Sequence, residues 1–113
     1  MIHHTGDGML MMFNSALEAV QLAIELQQEI NQNHGFKIRI GIHLGEIIYR
    51  KNDVFGDGVN VASRLENMAP VGGICVSNTV YDELRNKKEF DGINLGLQSL
   101  KGVGRLVEVF GLK

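Results

Sequence analysis

Between Ser15 and Leu44 the apolar residues change their period, and that change restricts the fold more than any other feature of the chain. Leu17, Val20, Ile24 and Ile30 recur at the spacing of one helix face, with alanines between them. Ser15 is placed to cap this helix, and Glu18 three positions on completes a capping box. The pattern stops at Asn33-His34-Gly35. Directly afterwards Ile38, Ile40, Ile42 and Leu44 alternate with Lys37, Arg39 and His43, the period of a half-buried strand over 36–44. A helix feeding straight into such a strand belongs to a sheet covered by helices.

The rest of the chain extends that plan. Apolar runs at 1–4 and 9–13 flank Thr5-Gly6-Asp7-Gly8 and read as a β-hairpin. After Gly45 a second strand is expected at 46–50, followed by a polar, glycine-punctuated loop over 51–58. Val61, Ala62, Leu65 and Met68 place a helix at 59–68, ended by Ala69-Pro70-Val71-Gly72-Gly73. Residues 74–76 form a short apolar strand, and Ser77 or Asn78 can cap a helix reaching Leu84. Strands are expected at 90–97 and 106–112. The order ββ-α-ββ-α-β-α-β-β predicts an α+β fold with a largely antiparallel sheet.

Bulk properties narrow the function classes. At 113 residues the chain is expected to be one domain. Its 44% hydrophobic and 21% charged residues fit a globular protein. A formal net charge of −2 gives no support to nucleic-acid binding. The single cysteine, Cys75, allows no intrachain disulfide and fits a reducing, cytoplasmic setting. No apolar run approaches the roughly 20 residues of a membrane span, so this segment is expected to make no direct membrane contact. The chain also opens in mid-hairpin, with no lead-in, which raises the expectation that sequence ahead of Met1 belongs to the same domain.

Three places can carry chemistry. Asn60 and Arg64 stand at i and i+4 on the expected helix, so an amide and a guanidinium can reach one ligand. The arginine fork suits phosphate oxygens, and the loop before the helix can bring Asp53 to the same pocket. Asp7 sits at a hairpin tip, where one carboxylate can ligate Mg²⁺. Lys101 lies in the glycine-flanked loop Ser99-Leu100-Lys101-Gly102-Val103-Gly104, open to a phosphate. Each has a plainer alternative: a solvated Asn60, an Arg64 paired with Glu66 or covering apolar surface, an Asp-Gly turn, an exposed loop lysine.

Taken together, the strings GDGMLMMF, IRIGIHLGE, DVFGDGVNVASRLE, GGICVS and SLKGV resemble, in order and spacing, the class III adenylate/guanylate cyclase catalytic domain over nearly the whole chain. The resemblance implies the ferredoxin-like cyclase fold without its first strand and the helices after it, so that the chain is a partial catalytic domain. It implies head-to-tail homodimers with active sites at the interface, each using two Mg²⁺ or Mn²⁺ ions. It implies that Asp7 is the second metal aspartate and that Asp53 accepts from the adenine amino group. Asn60 orients the ribose, Arg64 stabilises charge on the phosphate under attack, and Lys101 holds the terminal phosphates. The implied reaction turns ATP into 3′,5′-cyclic AMP and pyrophosphate, with a sensory or regulatory domain possible elsewhere in the parent protein.

Two departures accompany the resemblance. The first metal aspartate has no counterpart here, so the 113-residue chain alone is expected to be inactive. The family lysine that reads adenine is replaced by His3, which can donate one hydrogen bond to adenine N1. Asp53 still favours ATP, because guanine presents an acceptor carbonyl that a carboxylate repels. His3 and His4 face opposite sides of a strand and cannot share a metal. His43 is expected to make an ordinary hydrogen bond, and Cys75 to lie in the core. The competing readings are a non-catalytic homologue that dimerises or binds nucleotide, and an α+β interaction module without nucleotide chemistry.

Overall fold

The computed structural model describes residues 2–5, 8–11, 15–44, 48–50, 53–55, 57–85, 87 and 90–112, with side chains for 15–44, 60–85, 87 and 90–112. The elements run β1 (Ile2–Thr5), β2 (Gly8–Met11), α1 (Ala16–Asn33), β3 (Ile40–Ile42), β4 (Ile48–Arg50), β5 (Asp53–Phe55), α2 (Asp57–Met68), β6 (Ile74–Ser77), α3 (Asn78–Leu84), β7 (Gly92–Ser99) and β8 (Leu106–Leu112). The main sheet has four strands in the order β3-β6-β8-β7. β3 and β6 are parallel, with Gly41 opposite Cys75, and the other two pairings are antiparallel. β1 and β2 form the expected hairpin, with Thr5 opposite Gly8. The α+β class is as expected.

Ser15 caps α1 as its sequence suggests: its hydroxyl accepts from the Glu18 N–H at 3.1 Å. The buried stripe of α1 is Ala16, Val20, Ala23, Gln27 and Ile30, flanked by the partly buried Leu17 and Ile24. Two cores lie on opposite faces of the sheet. On one, α1 and α3 pack on Ile74, Val76 and Phe110. On the other, Val61 and Leu65 of α2 and Ala69 just after it pack on Cys75, Val107 and Val109, together with Leu100 and Val103 from the loop before β8. Ile74 and Val76 thus face one helix layer while Cys75 faces the other, as strand geometry requires. This explains why all four residues of β6 are buried.

Two expectations need correction. The strand expected over 36–44 is only Ile40–Ile42. Its partner sets that length, because β6 begins at Ile74 and gives way to α3 at Asn78. Outside that span the backbone finds other partners: Ile38 O accepts from Gly72 N–H at 2.8 Å, and Leu44 O accepts from the Thr79 hydroxyl at 3.1 Å. Phe36 and Leu44 are accordingly exposed. The loop expected over 51–58 contains a strand, since β5 pairs antiparallel with β4 and Asp53 stands opposite Arg50. The helix after it begins at Asp57, two residues earlier than expected.

Candidate active site

α2 presents two adjacent stripes. Val61 and Leu65, followed by Ala69 just past the helix, point into the core, with Val61 and Leu65 fully buried. Asn60 is exposed and Arg64 half-buried on the neighbouring stripe, one turn apart. The helix lies very close to the sheet. A Cβ added at Gly41 would come within 2.6 Å of Ala62 O and 2.8 Å of Leu65 C, and closer still to Glu66 N. Glycine at position 41 therefore sets how closely α2, and with it Asn60 and Arg64, approaches β3.

Lys101 is placed by a turn whose ends are anchored in the core. Val103 N–H donates to Leu100 O at 3.0 Å, and both of those side chains are buried against α2. Gly102 has φ +81°, the conformation a type II turn needs at its third position. The tip, Lys101-Gly102, is exposed.

Arg64 is tied to the Lys101 turn by one hydrogen bond: its Nε–H donates to the Lys101 backbone O at 2.9 Å. This orients the guanidinium so that its Nη donors make no hydrogen bond among the described residues, and no described carboxylate pairs with either cation. The plainer alternative for Arg64, a pair with Glu66, is not what the structure shows. Asn60 and Arg64 one turn apart on α2, tied to the turn that carries Lys101, offer donor types suited to a polyanion.

The other expected site residues are described less fully. The backbones of His3 in β1 and Asp53 in β5 are described, but their side chains lie outside the described residues. Asp7 lies outside them altogether. Among the described residues no group of three His, Cys, Asp or Glu side chains gathers.

The chain's residues 4–112 match the family model of the adenylate and guanylate cyclase catalytic domain. The chain belongs to this family. A curated relative, the putative adenylate cyclase 3 of Rhizobium meliloti (strain 1021), is 34% identical over 113 residues, a match covering 94% of this chain and 19% of that protein. This cyclase domain therefore spans about a fifth of that relative. Among solved structures, the adenylate/guanylate cyclase/hydrolase from Silicibacter pomeroyi superposes with a TM-score of 0.86 at 37% identity, covering 98% of this chain and 70% of that one. The catalytic core of a rhodopsin-guanylyl cyclase with converted specificity, solved in complex with ATPαS, superposes with a TM-score of 0.74 at 28% identity, covering 87% and 57% of the two chains.

The cyclase domain also contains residues that sequence reasoning missed. Gln27 is buried, and its Nε2 donates to Ile38 O at 3.1 Å and Gly73 O at 2.9 Å, clamping both ends of the approach to the parallel strand pair. An interruption of the apolar stripe of α1 by an amide was its only signal. Ser77, read as a cap, occupies the N-cap of α3 but makes no cap hydrogen bond with its side chain. Its hydroxyl instead bonds His43 Nδ1 at 2.7 Å and Thr79 Oγ1 at 2.9 Å. Cys75 is buried as expected, and burial pushes its thiol pKa up. Among the described residues no helix is long and apolar enough to cross a membrane.

Proposed function

We propose that this chain is the larger part of an adenylate cyclase catalytic domain that, when complete and dimeric, converts ATP to 3′,5′-cyclic AMP and pyrophosphate. The observation that supports the reading is the hydrogen bond from Arg64 Nε–H to the backbone O of Lys101, which ties the helix carrying Asn60 and Arg64 to the turn carrying Lys101. The family match and the adenylate cyclase name of the curated relative support it.

In this reading Asn60 orients the ribose and Lys101 holds the β- and γ-phosphates. The 3′-oxygen attacks the α-phosphorus, its proton leaves to solvent, and the bond to the pyrophosphate oxygen breaks. Arg64 stabilises negative charge on the α-phosphoryl group, where a fixed donor is worth most. Asp53 accepts from the adenine amino group and His3 donates to the ring. Asp7 would help hold Mg²⁺ or Mn²⁺, whose contribution when bound is to offset triphosphate charge. The domain acts in the cytoplasm on ATP, as a homodimer, under a regulatory segment elsewhere in the parent. Asp7 alone is too little to hold two ions, so the 113-residue chain by itself turns over no ATP.

A mixing experiment tests the shared site. In the full-length protein Asp7→Ala and Asn60→Ala should each be nearly inactive. When mixed, about half the dimers are heterodimers with one intact site of two, so activity should return to roughly a quarter of wild type under C2 pairing. No recovery at any ratio, with subunit exchange shown separately, would refute a site shared between subunits.

A further inference from the structure

A chain of hydrogen bonds crosses the carboxyl ends of the parallel strands β3 and β6. His43 Nδ1 lies 2.7 Å from Ser77 Oγ, Ser77 Oγ lies 2.9 Å from Thr79 Oγ1, and Thr79 Oγ1 lies 3.1 Å from Leu44 O. Counting protons fixes its direction. A carbonyl can only accept, so the single hydroxyl proton of Thr79 goes to Leu44 O. Ser77 must then donate to Thr79, and His43 must donate to Ser77 from a protonated Nδ1. Each hydroxyl donates once and accepts once, the arrangement in which successive bonds polarise one another. Nδ1 keeps its proton in both charge states of the imidazole, so protonating His43 does not break the chain.

The location of this chain gives it a role. His43 follows Gly41 on the α2 face of the sheet, as Ser77 follows Cys75, and Gly41 and Cys75 are register partners. The crossover from β3 to the parallel β6 runs through β4, β5 and α2. The helix must return antiparallel to the strands, so its N-terminal end and Asn60 lie toward the carboxyl ends of β3 and β6. Leu44, whose carbonyl is the last acceptor, is four residues before β4, and β4 pairs with the strand that begins at Asp53. Ser77 is fully buried yet leaves the N-terminus of α3 without its side-chain cap. A Ser at that position ordinarily caps, so its hydroxyl is committed elsewhere.

We propose that His43, Ser77 and Thr79 are positioning residues that fix the exit of β3, and through it the β4–β5 hairpin carrying Asp53, and so set discrimination between ATP and GTP. The inference rests on the reading of Asp53 given above. Thr79→Val keeps the side-chain shape and removes the hydroxyl. In the full-length protein it should lower the ATP-to-GTP ratio of kcat/KM by about 3- to 10-fold, the effect of one lost hydrogen bond. Thr79→Ser should restore the ratio. Hydrogen exchange of amides 44–50 should speed up in the Val variant alone.

Asp53→Ala is the reference. If it shifts the ratio and Thr79→Val leaves it within twofold, the specificity role is overturned while the reading of Asp53 stands. Unchanged exchange at 44–50 in Thr79→Val would overturn the positioning role directly. If Asp53→Ala itself leaves the ratio unmoved, the reading of Asp53 fails and takes the specificity role with it.

Discussion

Arg64 shows how one side chain can serve two ends. Its Nε–H holds the backbone of the Lys101 turn, and its planar fork leaves the Nη donors on the other side. A lysine at this position keeps the charge but offers one compact ammonium, which cannot hold Lys101 O and reach a phosphate together. Arg64→Lys in the full-length protein should therefore lower kcat/KM for ATP by about 10²-fold, the usual effect of losing a fixed transition-state donor. Steady-state kinetics would check this, and a loss smaller than about threefold would show that charge alone suffices. The sequence made the residue types legible at this scale: an amide and a guanidinium one turn apart, with a lysine in a glycine-flanked loop. It could not show that Arg64 touches the backbone of a residue 37 positions away, because such a contact depends on how α2 and the β7–β8 loop share a core. Gln27 escaped notice, and Ser77 reads from the sequence only as a cap, for a related reason. Their partners, two backbone carbonyls for Gln27 and the His43 imidazole and Thr79 hydroxyl for Ser77, leave no trace in hydrophobic periodicity.

At the scale of elements, α1, α2, β6 and β8 were legible because each has one strongly apolar face and a clear breaker after it. β3 was overestimated, since alternation reports which side of a strand is buried but not how far its partner extends. β5 was missed because three residues beginning with an aspartate carry no usable pattern. The contact between β3 and α2 gives a sharp test. With a Cβ at Gly41 overlapping the backbone of residues 62–66, the helix must move outward. Gly41→Ala should cost about 1–3 kcal/mol, the range for overpacking, read from denaturant unfolding of the full-length protein. Because α2 carries Asn60 and Arg64, turnover should fall well beyond what the loss of folded protein explains. A variant with reduced stability and normal kcat per folded molecule would contradict that coupling.

The molecule as a whole is two cores sharing one sheet, and Cys75 lies on the α2 side of it. Burial raises its thiol pKa in the folded state. Between the unfolded and the folded value the unfolded chain holds fewer protons, so stability falls as pH rises above about 8.5, where an unfolded thiol ionises. Urea unfolding from pH 7 to 10 should show this decline, and Cys75→Ala should flatten it while lowering stability throughout; equal slopes would assign the decline to other groups. The parallel pairing also has a consequence for the order in which the protein assembles. Ile40 meets Ile74, 34 residues on, whereas Ser99 meets Leu106 across a short turn. Closing the longer loop costs roughly 3 kcal/mol of chain entropy before any contact repays it. The β7–β8 hairpin, with Lys101 at its tip, can form early, and the Arg64 contact must wait until the crossover has closed. In folding kinetics, truncations at Val107 should slow refolding more than truncations at Val61, which should mainly speed unfolding. The phosphate site proposed at Arg64 and Lys101 would then be among the last parts of the chain to assemble.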